Sequence, residues 1–499
     1  MDGNFACVIL AAGRSVRFKS RTSKLLHELC GKPMLEWVLD SVLPLQPAQI
    51  ILVHGQHNAE LAELYGGSYK GAPVSCVVQD PPKGTADALL KVYSAVAAGV
   101  ERLLVLPGDV PLITSAQLSA LCTNGQASRF THAVLTAIAP EPQGYGRVLR
   151  GNADTSRVAR IVEEADADEE EREINEINSG IYLFDMSVFE HLEDAARELG
   201  ASKVKGEYYL PDVVQFAPTL AVRADDFVTI SGVNDRAQLA EAEAVLLSRL
   251  RQHWMREGVT FRMPETVYIH HDVELSPDVE VGPHCVLTRG TRIGSGTVLI
   301  QGCYLESCSI GEDCTLLHVR GTEAELLSGV RAGPYVNLRP GTILREDVKV
   351  GNFVETKKAD VGARSKLPHL QYIGDATLGE DVNIGAGTIF CNYDGFEKHH
   401  TTLGNKVFIG SNSSLSAPLT IGDGAYVAMA SAIVSDVPAG ALAIARARQE
   451  NKLNYVAKLK EKLRQRAEQA QGGMVAQAPP PVATGDGARA TNAEEGDRK

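Results

Sequence analysis

The sequence predicts two structurally different parts: a doubly wound α/β sheet up to about residue 235 and a parallel β-helix from about residue 265. In the first part, continuous apolar runs at residues 6–10, 50–53 and 103–106 alternate with helical patterns. Such runs are typical of strands that are buried on both faces of a parallel sheet. In the second part, aliphatic residues recur every six positions, which is typical of a parallel β-helix.

The six-residue rhythm predicts how the β-helix is built. It is set by Leu275, Val281, Leu287, Ile293 and Leu299, and it resumes at Ile310, Val350, Leu378, Ile384, Ile409, Leu415, Ile421, Val427 and Ile433. Each repeat supplies one short strand with one inward aliphatic side chain, so three repeats close a triangular coil. The rhythm breaks near residues 320–330 and 390–405, where we expect loops that leave the coil and build sites.

Domain boundaries follow from these patterns. We expect the α/β domain at residues 1–235, a linker helix at 236–258, the β-helix at 259–448, a mostly basic helix at 449–470 and a disordered tail at 471–499. The linker helix is predicted by Leu239, Leu246, Leu250 and Trp254 at helical spacing, followed by Gly258. The tail is rich in Ala, Pro, Gly and Asp and has no periodicity.

Composition excludes several classes of protein. The 499 residues carry a net charge of −13, which argues against a broad nucleic-acid-binding face. No apolar run approaches the ~20 residues of a membrane-spanning helix, and residues 1–5 lack the basic segment of a secretory signal. Nine cysteines without a CxxC pair are typical of reduced thiols, so we expect a cytoplasmic protein.

Loops after the predicted strands of the first part carry the residue types of a nucleotide site. Small residues at 10–13 let backbone N–H groups approach an anion, and Arg17 and Lys24 supply charge for a polyphosphate. Neither GxGxxG nor a Walker A loop is present, so by itself this segment could also be an ordinary strand-to-helix turn. Gln79, followed by residues 84–86, suits a pyrimidine or ribose, and Asp109 ends a third buried strand where a Mg²⁺ ligand belongs.

The second part carries a different set of chemical groups. Arg339 and Lys357 are 18 residues apart, hence one coil apart if nothing is inserted, and two stacked cations would clamp a phosphate. His369 suits a general base, although a lone histidine is more often structural. Cys391 is an alternative nucleophile, but no histidine–acid pair stands beside it, so we interpret it as an incidental thiol.

Further motifs at residues 144–147, 161–163, 176–180 and 232–234 complete a series that resembles that of sugar-nucleotide pyrophosphorylases. Together with the six-residue repeats, the chain resembles over roughly residues 5–455 the family of bacterial bifunctional N-acetylglucosamine-1-phosphate uridyltransferases and glucosamine-1-phosphate acetyltransferases. The resemblance implies an α/β doubly wound nucleotidyltransferase domain, a linker helix and a left-handed parallel β-helix of hexapeptide repeats. It also implies a homotrimer with acyl-CoA sites formed between subunits.

The resemblance implies roles for individual residues of the first part. Leu10, Ala11, Ala12, Gly13, Arg17, Lys24 and Gln79 would hold UTP, Gly84 and Thr85 the uridine, and Gly108, Gly146, Glu163 and Asn178 would complete the nucleotide and sugar site. Asp109 and Asn234 would coordinate Mg²⁺. The adjacent acidic residues, from Glu164 to Glu171, are interpreted as a solvated loop.

The resemblance also assigns the second site. His369 would be the catalytic base, while Arg339, Lys357, Tyr372 and Asn383 would bind glucosamine-1-phosphate. The acetyl-CoA side would be lined by Ala386, Asn392, Tyr393, Lys398, Ser411, the backbone at Met429, and Arg446. A main-chain N–H can stabilise the oxyanion whichever side chain it carries.

This chain departs from the family pattern at a few positions. The family loop has a second Gly and a Thr where Ser15 and Val16 stand, a Pro where Ser23 stands, a Tyr at Pro107 and commonly an Ala at Met429. A positive φ at Ser15 would cost about 1 kcal/mol. We nevertheless expect uridyl transfer to be retained.

These residues predict a two-site enzyme that makes UDP-N-acetylglucosamine. This sugar nucleotide is a precursor of peptidoglycan and lipopolysaccharide. The enzyme would use acetyl-CoA to acetylate glucosamine-1-phosphate and then join N-acetylglucosamine-1-phosphate to UTP, with no nucleic-acid or membrane partner. Two alternatives stay open: a single-activity sugar-nucleotide pyrophosphorylase whose β-helix is only structural, and a non-catalytic regulatory subunit of the same folds.

Overall fold

A computed structural model describes residues 4–202, 204 and 206–474, with side chains described up to residue 470. Most of the predicted tail, residues 475–499, lies outside the described residues. The described chain divides into two compact units that meet between residues 445 and 446.

The N-terminal part of the first unit alternates strands and helices. Its elements are β1 (Phe5–Ala11), β2 (Glu28–Leu29), β3 (Lys32–Pro33), α1 (Met34–Val42), β4 (Gln49–His54), α2 (Glu60–Tyr65), β5 (Gly67–Tyr69), β6 (Ala72–Val78), α3 (Thr85–Val92), β7 (Arg102–Pro107), α4 (Ser115–Ala127), β8 (His132–Ile138), β9 (Arg147–Arg150), β10 (Arg157–Val162), α5 (Glu169–Arg172), β11 (Glu176–Asp185), α6 (Val188–Glu198), β12 (Thr219–Arg223) and α7 (Arg236–Arg256). Short 3₁₀ turns join several of them.

Ten of these strands, as far as the chain is described, form one sheet in the order β5-β6-β4-β1-β7-β11-β8-β12-β10-β9. Strands β6, β4, β1 and β7 are parallel, as the sequence predicts, and β12 is parallel to β8. Strand β11 runs antiparallel to both β7 and β8. An apolar run records burial on two faces and not strand direction, so the pattern could not show this reversal.

Helices cover both faces of the sheet. Cys7 and Ile9 of β1 belong to a core that includes Leu35 of α1, whereas Val8 points into the opposite core with Leu89 of α3. This is the alternation that a doubly wound sheet requires. The carboxyl ends of β1 and β7 consequently open toward one edge, where ligands of such sheets bind.

Helix α7 links the sheet to the following domain. Asp235 caps its start by accepting the N–H groups of Ala237 and Gln238, both at 2.9 Å. Leu247 and Leu250 pack against the cores of both domains. The helix ends at Arg256 and not at residue 258, because the chain turns through Gly258 at φ +93°.

The following part is a parallel β-helix. Its strands are β13 (Thr260–Phe261), β14 (Tyr268–Ile269), β15 (Glu274–Leu275), β16 (Glu280–Val281), β17 (Val286–Thr288), β18 (Arg292–Ile293), β19 (Val298–Gln301), β20 (Tyr304–Glu306), β21 (Ser309–Ile310), β22 (Thr315–Leu317), β23 (Val319–Thr322), β24 (Glu325–Leu326), β25 (Arg331–Ala332), β26 (Val336–Leu338), β27 (Ile343–Leu344), β28 (Lys349–Val361), β29 (Lys366–Leu378), β30 (Asn383–Ile384), β31 (Ile389–Cys391), β32 (Thr401–Leu403), β33 (Phe408–Ile409), β34 (Ser414–Ser416), β35 (Leu419–Ile421), β36 (Tyr426–Val427), β37 (Ala432–Ile433) and β38 (Leu442–Ala443).

Strands of successive coils pair in register every third element. Val281 lies opposite Leu299, and Ile384 lies opposite Ile409, which in turn lies opposite Val427. These side chains are buried in one continuous core, as the six-residue rhythm predicts. One face of the prism, called face A below, contains β25, β30, β33 and the starts of β28 and β29.

One of the two predicted breaks is a loop that leaves the coil. Residues 392–400 leave the coil between β31 and β32 and are closed by a bridge between Tyr393 and Lys398. The loop predicted at residues 320–330 is wrong, because β23 and β24 continue the coil there. The coil simply becomes shorter, with Thr315 opposite Arg331, and this shortening interrupts the rhythm.

The second unit begins at Arg446 and contains α8 (Tyr455–Met474). This helix begins later than the expected residue 449 and extends four residues into the segment that was expected to be disordered. Among the described residues, no helix has both the length and the apolar character needed to cross a membrane.

Candidate active sites

A cleft of about 740 Å³ opens at the carboxyl ends of β1 and β7. It is lined by most of the residues predicted for the nucleotide and sugar site: Leu10, Ala11, Ala12, Gly13, Lys24, Gln79, Gly84, Thr85, Asp109, Glu163 and Asn178. Arg17, Gly108, Gly146 and Asn234 lie outside its lining but contact residues of the site. The Gly108 N–H, for example, donates to the Leu10 carbonyl at 2.9 Å.

The loop after β1 turns sharply toward the cleft. Ser15 has φ +47° and ψ +38°, the left-handed conformation that glycine adopts most easily. Its hydroxyl donates to the Gly13 carbonyl at 3.3 Å, and the His57 ring lies 3.2 Å from the same oxygen. Phe18 is buried beneath the loop and anchors it. The serine therefore adopts the strained geometry that its position requires.

Four polar side chains converge beside the loop at residues 232–234. The Lys24 ammonium donates to Asp109 Oδ2 at 2.5 Å and to the Val233 carbonyl at 3.1 Å. The Arg17 guanidinium donates to Asn234 Oδ1 at 2.9 Å. The Val233 N–H in turn donates to the Asp109 carbonyl at 2.8 Å, which fixes this loop against the end of β7.

Asp109 and Asn234 face a common position. A Cβ placed on Gly232 would lie 3.7 Å from both Asp109 Oδ1 and Asn234 Nδ2, with nothing closer. The pair offers a carboxylate and a carboxamide, whose oxygens are ligands of Mg²⁺. Lys24 and Arg17 hold Asp109 Oδ2 and Asn234 Oδ1, while Asp109 Oδ1 faces the common position. Two oxygen-bearing groups beside two cationic side chains fit a divalent cation that is bound together with phosphate oxygens.

The segment that follows β6 is tied to a distant part of the chain. Gln79 is buried and its Nε2 donates to the Gly84 carbonyl and to Asp87, both at 2.8 Å. Gly84 has φ +109°, and a Cβ there would lie 2.3 Å from the Tyr208 carbonyl. The Thr85 hydroxyl accepts the Leu210 N–H at 2.9 Å. These contacts form one wall of the cleft.

The opposite wall holds the residues assigned to the sugar. Asn178 Oδ1 accepts the Tyr182 hydroxyl at 2.9 Å and the Gly180 N–H at 3.1 Å, which turns the amide NH₂ away from them. Burial, reinforced by the Glu163 charge, raises the pKa of Tyr182 well above its ordinary value, so this hydroxyl stays protonated. A Cβ on Gly146 would lie 3.2 Å from Glu163 Oε1, so a larger residue would crowd that carboxylate.

Several lining residues were not assigned to the site from the sequence, although Ser15, Pro107 and Gly180 stand within its motifs. They are Arg14, Ser15, Leu25, Pro81, Pro82, Ala88, Pro107, Gly180, Tyr182, Glu207, Tyr209, Leu210 and Pro211. The compact aromatic and proline run at residues 208–211, between α6 and β12, was the available signal for the last group. It is far from any predicted strand end and was therefore missed.

Glu164 also differs from the sequence expectation. It was interpreted as part of a solvated acidic loop, but its Oε2 lies 2.8 Å from Nη1 of Arg147, whose side chain is 1% exposed. Burial acts to raise the pKa of Glu164, but the hydrogen bonds from Arg147 and the Gly144 N–H outweigh it and lower the pKa. The pair fixes the end of β10 to the start of β9, directly behind the Gly146–Glu163 contact.

A second candidate site lies on the β-helix. A groove of about 500 Å³ contains the exposed His369 together with Asn383, Asn352 and Pro368. His369 lies opposite Asn352 of the preceding coil. The imidazole therefore lines an open groove and is not enclosed in the core.

Three residues predicted for acetyl-CoA continue the edge that carries His369. The Gly387 N–H contacts the His369 carbonyl at 3.4 Å, the Asn412 N–H donates to Ala386 at 2.7 Å, and the Ala430 N–H donates to Ser411 at 2.8 Å. Met429 follows on the next coil, where its side chain is 59% exposed. His369, Ala386, Ser411 and Met429 thus lie on successive coils along one edge, called edge B below. Arg446 belongs to the second unit and is exposed.

The remaining predicted residues gather at the next edge of the prism. Arg339 and Lys357 lie on adjacent coils, as their spacing predicts, since Leu338 lies opposite Thr356. Arg339 donates to Glu355 at 2.8 Å. The pKa of Lys357 is lowered by the nearby Lys398 ammonium and by Arg339, so three cations meet here.

Tyr372 and the extruded loop complete this cationic edge. Asn392 is buried and donates to Asp375 at 2.5 Å, and its amide lies 3.5 Å from the Tyr372 hydroxyl. The loop itself is held by Asp394, which accepts the N–H groups of Phe396 and Glu397 at 2.8 Å and contacts His399 at 2.7 Å. These bonds lower the pKa of Asp394 well below its usual range.

The structure therefore divides the predicted acetyl site between two edges. His369 lies five positions before Gly374, which is opposite Lys357 in the register of β28 and β29. Five residues span at most about 18 Å, and the chain turns at Leu370 (φ +50°) within this stretch, so the two positions are closer than a straight strand would place them. Residues that are 18 apart in sequence stack on one edge of the prism. Residues at different positions along their coils, such as His369 and Lys357, lie on different edges.

Comparisons with known proteins cover both parts of the chain. Residues 7–204 match the family model of the MobA-like NTP transferase domain. The chain is 40% identical to the bifunctional protein GlmU of Pelobacter propionicus, over 92% of this chain and 99% of that protein. It is 41% identical to GlmU of Halalkalibacterium halodurans over 92% and 99%, and 42% identical to that of Heliobacterium modesticaldum over 90% and 97% of the two chains.

Proposed function

The chain belongs to the GlmU family of bifunctional enzymes, and we propose that its two sites catalyse two consecutive reactions of UDP-N-acetylglucosamine synthesis. The β-helix transfers the acetyl group of acetyl-CoA to glucosamine-1-phosphate. The N-terminal domain then joins N-acetylglucosamine-1-phosphate to UTP and releases pyrophosphate. The observation that carries the proposal is the cleft that brings eleven predicted nucleotide and sugar residues together.

In the cleft, the phosphate oxygen of the sugar attacks the α-phosphorus of UTP while the bond to the β-phosphate breaks. This step needs positioning and charge neutralisation more than a protein nucleophile. The loop at residues 10–13 presents backbone N–H groups to the triphosphate, and Lys24 and Arg17 supply positive charge. Gln79 keeps the Gly84 turn in the shape that receives the uridine, since its amide holds both Gly84 and Asp87.

Asp109 and Asn234 are the residues that would hold Mg²⁺. The ion, when bound, would neutralise charge on the reacting phosphates. Lys24 would then shift its contact from Asp109 toward the phosphates, while its bond to the Val233 carbonyl keeps it nearby. Asn178 and Glu163 would orient the sugar through its amide and hydroxyl groups.

At the groove on the β-helix, the sugar amine attacks the thioester carbonyl and the carbon–sulfur bond breaks. His369 would take the proton that the amine loses. Edge B supports a bound acetyl-CoA because Ala386, Ser411 and Met429 continue it coil by coil from His369. The Met429 N–H would donate to the developing oxyanion.

The separation of His369 from Arg339 and Lys357 supports assembly of this site between chains. A second copy that brought its cationic edge against edge B would place a phosphate clamp opposite the base. A homotrimer provides three such contacts by cyclic symmetry. The substrates acetyl-CoA and UTP, together with nine free thiols, support a cytoplasmic location.

A substrate-omission assay tests the proposed function. Purified protein would be given glucosamine-1-phosphate, acetyl-CoA, UTP and Mg²⁺, each omitted in turn. We expect UDP-N-acetylglucosamine only when all four are present, and N-acetylglucosamine-1-phosphate when UTP alone is missing. A parallel reaction supplies N-acetylglucosamine-1-phosphate with UTP and Mg²⁺. Uridyl transfer there without any acetyl transfer in the first assay would favour the single-activity pyrophosphorylase with a structural β-helix, and no turnover of either kind would favour the non-catalytic subunit.

A further inference from the structure

Charges on the outer surface of the β-helix usually alternate between neighbouring coils. Arg262 lies 2.8 Å from Glu280, Arg292 lies 3.1 Å from Glu274, and Arg345 lies 2.8 Å from Asp360. Each of these pairs joins adjacent coils. Opposite charges that face each other across strands are favourable, and like charges in the same arrangement are unfavourable.

Face A breaks this pattern. Arg331 lies opposite Lys349, and Lys349 lies opposite Lys366, so three cations stack in register on three coils. Neighbouring strands are about 4.8 Å apart, which is well inside the screening length of physiological salt. All three side chains are exposed, and within the described residues none lies within 4 Å of a carboxylate. We call these residues the basic ladder.

The nearest acidic side chains do not neutralise the basic ladder. Asp381 feels the charge of Lys366, but its carboxylate is bound to Arg364 at 2.9 Å and 3.0 Å. Asp347 lines a hollow of about 300 Å³ together with the ladder and Arg364, so cations outnumber acids there as well. An anion from outside the chain would therefore relieve the repulsion between the three cations of the ladder.

The position of the basic ladder indicates which anion. The same three cations border the groove that contains His369 and Asn383. Lys366 lies on the same strand as His369, and Asn383 lies opposite Lys366 on the next coil. The floor of the groove is apolar, with Ile300, Leu317 and Val350. A ligand with an anionic group and a neutral body fits this surface.

We propose that the basic ladder of Arg331, Lys349 and Lys366 is a phosphate-binding entry site that collects a phosphorylated substrate at the His369 groove. This inference rests on the proposed acetyl transfer and adds a binding site to it. The chain carries a net charge of −13 and repels anions at long range, so a local cationic surface is needed to concentrate them. The ladder acts on association of the substrate, whereas Arg339 and Lys357 remain the clamp for the reacting complex.

The test compares charge-removing and charge-keeping variants of the whole protein. Lys349→Gln/Lys366→Gln removes two rungs, Lys349→Arg/Lys366→Arg keeps them, and Lys91→Gln removes an exposed lysine of α3 in the N-terminal domain. Acetyl transfer is measured at low and high salt with each substrate varied. We expect the Gln variant to raise KM about tenfold at low salt with kcat unchanged, and to flatten the salt dependence, because steering is screened by salt. The Arg variant and Lys91→Gln should match the parent protein.

The two substrates distinguish the source of the phosphate group. A raised KM for glucosamine-1-phosphate assigns the ladder to the sugar phosphate, and a raised KM for acetyl-CoA assigns it to the donor's diphosphate; either supports a phosphate site. Unchanged KM values for both overturn the proposal, as does dissociation of the oligomer in the Gln variant alone, which would assign the ladder to a chain–chain contact.

A binding measurement separates this proposal from the proposed function. Calorimetric titration of the full-length protein with glucosamine-1-phosphate, acetyl-CoA and inorganic phosphate needs no turnover. Weaker binding of any of the three by the Gln variant than by the Arg variant supports the ladder even if acetyl transfer is absent. Equal binding of all three by both variants contradicts it, whatever the activity of the parent protein.

Discussion

Removal of the Glu164 carboxylate should destabilise the N-terminal domain far more than its surface position suggests. Arg147 is almost fully buried, and its guanidinium contacts Glu164 at 2.8 Å and the Tyr145 carbonyl. Its Nε is buried without a hydrogen-bond partner among the described residues. Glu164→Ala therefore leaves a cation in the interior with a single carbonyl near it.

The expected loss in the free energy of unfolding depends on which partner of the pair is buried. Breaking a buried pair by removing one partner costs about 3–5 kcal/mol, because the remaining charge is uncompensated. Glu164 is 35% exposed, so water can enter where it stood, and we expect the lower end, about 3 kcal/mol. Arg147→Met leaves a partly hydrated carboxylate and should cost less. The double variant Arg147→Met/Glu164→Ala should be more stable than Glu164→Ala alone.

The assay is urea unfolding of the N-terminal domain, followed by the fluorescence of Trp37 in a Trp254→Phe background. Uridyl transfer provides a second measurement, because the pair lies behind Gly146 and Glu163. We expect a raised KM for N-acetylglucosamine-1-phosphate and unchanged acetyl transfer. The reasoning would be refuted if Glu164→Ala lowered the free energy of unfolding by less than about 1 kcal/mol, or if the double variant were less stable than Glu164→Ala.

Three further predictions test other parts of the chain. Ser15→Gly should remove up to about 1 kcal/mol of strain from the left-handed backbone at φ +47°. UTP binding, measured by calorimetry, should become up to about fivefold tighter, and weaker binding would contradict the strain. Burial, together with His191, lowers the pKa of His132 from 6.5 to about 4. Folding stability present above pH 6.5 should therefore fall by about 3 kcal/mol as the pH drops through 4, and His132→Asn should flatten the profile of unfolding midpoints against pH; an unchanged profile would exclude His132. Phe390→Ala should lower the free energy of unfolding of the β-helix by about 3–5 kcal/mol, since this ring is fully buried opposite Leu415. Mild heating should then abolish acetyl transfer while uridyl transfer remains. Parallel loss of both activities would show that the domains unfold together.

Periodicity made the β-helix predictable in detail. An inward aliphatic every six residues requires a coil of three short strands, and Ile384, Ile409 and Val427 are stacked as this rule requires. The same rule placed Arg339 one coil before Lys357. It failed at residues 320–330, because the shortened coil found there interrupts the rhythm in the same way as an extruded loop would.

The nucleotide cleft was predictable where its residues follow buried strands. Ala11 ends β1, Gln79 follows β6 and Asp109 follows β7, so all three face the same edge of the sheet. Tyr209 and Pro211 were not predictable, because their position depends on the adjacent Tyr208, which exchanges hydrogen bonds with Lys83 and Ala86 across more than a hundred residues. No local pattern encodes such a contact.

Electrostatic pairing was also beyond a sequence pattern. Glu164 stands in an acidic run and looks like a solvated residue, but its role depends on the burial of Arg147. Likewise, the distance between His369 and Lys357 depends on the position of each residue along its strand. Sequence spacing gives the coil on which a residue lies, whereas catalysis depends on which edge it occupies.

If two physically separate sites carry the two reactions, as we propose, variants that disable one site each should complement one another. Asp109→Ala and His369→Ala variants are purified separately and supplied with glucosamine-1-phosphate, acetyl-CoA, UTP and Mg²⁺. We predict that Asp109→Ala forms only N-acetylglucosamine-1-phosphate, that His369→Ala forms UDP-N-acetylglucosamine only when given the acetylated sugar, and that a mixture of the two forms it from the starting sugar. Loss of both reactions in either variant, with the fold intact by circular dichroism, would contradict separate sites.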